Sequence, residues 1–237
     1  MIVEDLDKKL HLWKNFCLEY VNPKLGIPLF EVNNEDLVVN TKGYGKDARV
    51  LLKRSISMEA LVIDEVNKVL IDFSRGGEIY EGLIYMMYWL ENEQIIPLYI
   101  GKSEKYGKQG NNLSANIASI ASNKGFFCRW GDNYAYHIGD LSAIVCPGHL
   151  LSKQNQKYRK WASRLFNSYP SNHPQLRKET YFWIHAWEKD KVGIWIEYGH
   201  SPLTALEYHL ISVASVAFSD VLLNEEGVNR RVKDDNS

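Results

Sequence analysis

Two aromatic-rich segments lie about fourteen residues apart, Gly82-Leu-Ile-Tyr85-Met-Met-Tyr88 and Pro97-Leu-Tyr99-Ile-Gly101-Lys102-Ser103. A tyrosine hydroxyl ordinarily titrates at a pKa of about 10. Neighbouring cations lower that value, and the hydroxyl can then orient or deprotonate a water molecule. Lys102 follows directly on the second segment and could supply such a cation. The plainer reading of tyrosines in strands is cross-strand packing, and for Tyr88 that reading is preferred. Residues 126–140 are dense in functional side chains, among them Arg129, Asn133, Tyr134, Tyr136 and His137. A guanidinium fixed there can hold a phosphate bidentately. Leu206-Glu207-Tyr-His-Leu210-Ile211 sets a carboxylate at the border of an apolar helix face, where an idle charge is costly. Cys128, His137, Cys146 and His149 form a competing set within 22 residues. Zinc binds such ligands tetrahedrally, although small buried thiols are the plainer account.

These side chains need a frame. Residues 1–21 read as an amphipathic helix carrying Leu6, Leu10, Trp13, Phe16, Cys17 and Tyr20, ended by Asn22-Pro23. Residues 24–54 are mixed, with a turn expected at Lys42-Gly-Tyr-Gly45, and 57–71 read as a second helix. The runs 82–90 and 95–101 read as strands joined into an antiparallel hairpin by the polar Glu91-Asn-Glu-Gln94. Helices are expected at 112–122 and 150–167, a second hairpin at 180–188 and 192–198, and a long helix at 202–223 with Pro202 near its start. The fold class is therefore α+β, a small antiparallel central sheet flanked by helices, with a largely helical N-terminal region. That region, 1–79, would contact DNA or mediate self-association; residues 80–224 would form the main domain and 225–237 a polar tail.

Hydrophobic residues make up 45% and charged residues 24% of the 237, which argues against a disordered chain. No apolar run reaches the roughly 18–20 residues that span a bilayer, so no membrane partner is expected. The acidic start has no apolar signal core. The three cysteines, Cys17, Cys128 and Cys146, are scattered. Both features point to a cytoplasmic location. The net charge of −1 hides an uneven distribution: residues 102–178 carry twelve basic side chains against Glu104, Asp132 and Asp140, a local +9. Such an excess suits a polyanion, or else a merely solvated basic face.

The two tyrosine segments resemble the signature of the GIY-YIG nucleases, most closely their restriction-endonuclease branch. The second motif, Tyr99-Ile100-Gly101, is intact. The first reads Leu83-Ile84-Tyr85, with Gly82 one residue before the usual glycine position. The resemblance covers roughly residues 80–224 and implies a metal-dependent endonuclease that hydrolyses DNA to 5′-phosphate and 3′-hydroxyl ends. It implies Tyr85 as general base, Tyr99 and Lys102 as helpers, Arg129 as the phosphate-binding cation, and Glu207 as the ligand of one Mg²⁺, or of another divalent ion such as Mn²⁺. The branch's histidine one turn after the arginine would fall at Asn133; His137 is the nearest histidine, either in the site or a hydrogen-bonded structural residue. Asn224 is similar to a late asparagine of that branch. Lys105, Lys108, Lys124, Lys157, Arg159 and Lys160 would track the backbone of double-stranded DNA, and a homodimer would suit cleavage of both strands. Three alternatives remain open: a repair or mobile-element nuclease, a nucleic-acid-binding protein with a decayed site, and a small zinc-stabilised adaptor.

Overall fold

The computed structural model describes residues 2–21, 26–33, 35–45, 49–108, 110, 112–122 and 137–228. Helix α1 (Ile2–Phe16) runs on into a π-helical turn at Cys17–Val21, and buries Trp13, Phe16 and Cys17 along one stripe. The short strand β1 (Ile27–Pro28) follows, then a separate hairpin of β2 (Thr41–Tyr44) and β3 (Arg49–Leu52). The turn expected at 42–45 is thus mostly strand, with the chain reversing only from Gly45, whose φ is +73°. Helix α2 (Ile56–Ser74) starts at Ser55, whose hydroxyl accepts the Met58 N–H at 3.0 Å, satisfying one of the orphan donors of a first helical turn.

Strands β4 (Tyr80–Glu91) and β5 (Gln94–Glu104) form the long central hairpin, with Asn92 and Glu93 at its tip at φ +49° and +64°, as a two-residue hairpin turn requires. Beyond them lie α3 (Ala115–Ser122), α4 (His137–Val145), α5 (Gln156–Leu165), β6 (Tyr181–Glu188) and α6 (Leu203–Ala217). The main sheet is antiparallel throughout, in the order β1-β6-β4-β5. Residues 83–89 of β4 are all buried, because helices cover both faces of the sheet. On one face lie α1 and α6: Phe16 packs edge-on against Trp183, and Trp13 against Phe218. On the other lie α4 and α5, whose His137 and Trp161 meet Tyr99.

The second hairpin does not form. After β6 the chain makes a single bridge between Val192 and His200 and a 3-10 turn at Ile196–Tyr198. The outer edge of β6 is already taken: β1 pairs with Tyr181 and Phe182, and the Glu65 carboxylate of α2 accepts the Ala186 N–H at 2.8 Å. Helix α6 likewise stops at Ala217 rather than 223. The chain then turns back over β5, where the Leu223 N–H donates to the Leu98 carbonyl at 2.7 Å. Trp13, Phe16, Val62 and Val66 of the N-terminal region belong to the same core cluster as Leu83, Ile84 and Leu206. A boundary at 79/80 therefore runs through one core.

Candidate active site on the central hairpin

Antiparallel register explains why glycine is needed in the second motif. Tyr85 of β4 stands opposite Gly101 of β5. A Cβ on Gly101 would lie 2.7 Å from the Cζ and hydroxyl oxygen of Tyr85, so the tyrosine ring lies across the space where a side chain would be. Met87 stands opposite Tyr99, which puts Tyr99 on the same face, since alternate residues of a strand share a face. The Tyr85 and Tyr99 ring centroids are 6.4 Å apart. Tyr85 is 3% exposed, and Tyr99 is half-buried. Gly82 meets a separate constraint. Its φ is +147°, and a Cβ there would sit 2.2 Å from the Ser103 carbonyl oxygen, a position only glycine takes without strain.

His137 opens α4 and is brought directly against Tyr99, with ring centroids 5.0 Å apart. Its other face stacks on Trp161, also at 5.0 Å, and its Nδ1 lies 3.1 Å from the Tyr158 hydroxyl. Complete burial, assisted by the charge of Lys157, pushes the imidazole pKa well below its ordinary value. It is a neutral ring that fixes Tyr99 and Tyr158 in place.

Lys102 does not serve the tyrosines. It stands opposite Ile84, one position out of phase with the Tyr85–Gly101 pair, so its side chain leaves the opposite face of the sheet. There it forms an ion pair with Glu104 and lies within electrostatic reach of Glu207. Glu207 comes from α6 and is half-buried. Burial raises its pKa; the charge and the nearby backbone N–H of Lys102 act against that rise, while Glu104 and Glu226 add to it. The Lys102 N–H points outward from the open edge of β5. Glu207 therefore lies on the α1/α6 side of the sheet near the Lys102 end of β5, whereas Tyr85 and Tyr99 face α4 and α5. Asn224 closes the same edge: its amide accepts the Ile100 N–H at 3.0 Å and donates to the Ile100 carbonyl at 2.8 Å.

A hard divalent ion needs few protein ligands and keeps several waters. The half-buried Glu207 carboxylate is a hard oxygen donor of the kind such an ion takes. Among the described residues no group of three or more His, Cys, Asp or Glu side chains is arranged to hold a metal. Of the Cys/His set, the Cys146 thiol is buried, and burial pushes its pKa up to about 12; His149 Nε2 meets the Val50 carbonyl at 2.7 Å. Arg129, Cys128 and Lys124 lie outside the described residues, as do Asn133, Tyr134 and Tyr136.

The expected DNA-facing cations divide. Lys108, Arg159 and Lys160 are exposed, the last two on α5. Lys105 is not available to a phosphate: it is 1% exposed, and its ammonium is held by Asp72 at 2.7 Å and by the Gly77 carbonyl at 2.7 Å. Lys157 is half-buried and turns toward the tyrosine face, its Nζ 5.1 Å from the Tyr99 ring centroid. That position was not anticipated, although the placing of Tyr158 and Trp161 one and four residues on, along a helix that buries both, was a signal for it. No family model, curated protein or solved structure matches this chain. The likeness to the nuclease family rests on the motif residues themselves.

Proposed function

We propose that the protein is a metal-dependent DNA endonuclease of the GIY-YIG kind, acting in restriction or phage defence. One observation carries this reading: Tyr85 and Tyr99 share a face of an antiparallel hairpin, and Tyr85 lies over the motif glycine. A half-buried carboxylate on α6 within electrostatic reach of Lys102 is a further feature that packing alone does not require. In this reading Tyr85 orients and deprotonates the attacking water, Tyr99 holds the phosphate or that water, and Arg129 binds a phosphate oxygen. Glu207 would hold Mg²⁺ or Mn²⁺, which when bound stabilises charge on the phosphate and leaving oxygen. The outward face of α5 would follow the backbone of double-stranded DNA. A cytoplasmic location and a homodimer belong to the same reading; among the described residues no helix is long and apolar enough to cross a membrane.

The deciding experiment is cleavage of mixed-sequence duplex DNA with Mg²⁺ by the wild type and by Glu207→Ala. Discrete fragments from the wild type, with a loss of at least about 100-fold in the variant, are expected. Duplex binding by both proteins with cleavage by neither would replace this reading with that of a DNA-binding protein whose nuclease site has decayed.

A further inference from the structure

Lys157 is the one basic side chain of α5 that the described structure turns into the aromatic cluster at the tyrosine face. Its ammonium lies over three rings at once: Tyr99 at 5.1 Å, Tyr158 at 5.7 Å and Trp161 at 5.7 Å from the centroids. The faces of aromatic rings attract cations, most strongly where water is partly excluded. This cage fixes the charge beside Tyr99, the position the sequence had suggested for Lys102. Among the described residues, the other groups acting on Lys157 are Glu225 and Glu226 from the C-terminal segment and Asp140 from α4, with His137 stacked on Trp161 beside it. Glu225 is itself held by Lys160, at 2.6 Å. The same segment is fastened to β5 through Leu223 and Asn224. The exposed carboxylates Glu225 and Glu226 are groups that a phosphate could replace beside this charge.

We propose that Lys157 is a catalytic residue of this site, contacting a non-bridging oxygen of the reacting phosphate beside Tyr99, and that Glu225 and Glu226 occupy its charge until DNA arrives. The proposal rests on the nuclease reading and sharpens it, since an outward lysine on the same helix would meet only the flanking backbone. Desolvation lowers the Lys157 pKa from its ordinary value, and the three carboxylates oppose that fall. The protonated form is the one required. Activity should therefore decline on the alkaline side at a pH lower than an ordinary lysine would give, and an arginine, which stays charged, should shift that decline upward.

The test uses the full chain with Mg²⁺ and supercoiled plasmid DNA, comparing wild type, Lys157→Met and Lys157→Arg. Methionine keeps much of the stem's packing and removes the charge. Lys157→Met is expected to lower kcat at saturating DNA by about 100-fold, with duplex affinity in Ca²⁺ changed only by the roughly threefold of a single backbone contact. Lys157→Arg should recover most of kcat and move the alkaline limb up. The proposal is overturned if Lys157→Met keeps kcat within about threefold, if affinity rather than kcat carries the loss, or if activity rises with deprotonation of Lys157. It is also overturned if arginine fails to rescue while thermal unfolding shows both variants to be folded as the wild type is. A wild type that binds plasmid and cuts nothing overturns the nuclease reading and this proposal together, whereas cleavage by the wild type with an indifferent Lys157→Met overturns the proposal alone.

Discussion

Single residues at the centre of the hairpin carry consequences out of proportion to their size. Gly101 has no positive-φ requirement; it is glycine because the Tyr85 ring occupies the place of its Cβ. Gly101→Ala must displace that ring, and overpacking of this kind costs about 1–3 kcal/mol. We expect lower stability by chemical denaturation and a change in the near-ultraviolet circular dichroism of the tyrosines. The buried Lys105–Asp72 pair supplies a second test. Burial alone would raise the Asp72 carboxyl, but Lys105 and the backbone N–H groups of Tyr80 and Ile79 outweigh it and hold the pKa below its ordinary value of 3.8. A depressed carboxylate pKa adds stability that is complete above the unfolded value and lost as pH falls through the folded one. Asp72→Asn leaves the buried ammonium without its counter-charge and should cost about 3–5 kcal/mol near neutrality. The gap between variant and wild type in urea unfolding should shrink below about pH 4.

At the scale of elements, the edge of β5 is the exposed seam of the sheet, and α6 with the segment after it covers that seam. Unpaired strand edges invite association with other chains. Asn224→Ala removes both bonds to Ile100 and is expected to cost about 1–3 kcal/mol; amide exchange at Ile100 should quicken while that of Met86, inside the sheet, stays slow. Local elements were legible in the sequence. The β4–β5 hairpin, α1 and α2 follow from periodicity and short connections, and the tyrosine pair came with the hairpin. What needed long-range information was not legible. Whether Lys102 shares a face with Tyr85 depends on a register that one residue of slip would invert. The burial of Lys105 depends on Asp72, 33 residues away. The absence of a strand at 192–198 depends on β1 and Glu65 having taken the edge of β6. Charge counting placed Lys105 and Lys157 with the surface lysines because it carries no direction.

For the molecule as a whole, a near-neutral chain carries four basic residues on α5, Lys157, Arg159, Lys160 and Arg164. In the proposed nuclease reading, duplex affinity should fall linearly with the logarithm of salt concentration. The double variant Arg159→Ala/Lys160→Ala should reduce that slope by about two, read by fluorescence anisotropy of a labelled duplex. An unchanged slope would mean that the backbone runs elsewhere. The sheet order has a different kind of consequence. Ile27 of β1 pairs with Phe182 of β6, so a strand made early in this stretch completes its pairing only when one made much later arrives. The β4–β5 hairpin can close while synthesis continues, but the strand that flanks it cannot. Completion of this sheet is thereby tied to the synthesis of β6, and nascent chains stalled before it would present a half-built sheet to the chaperones that meet them.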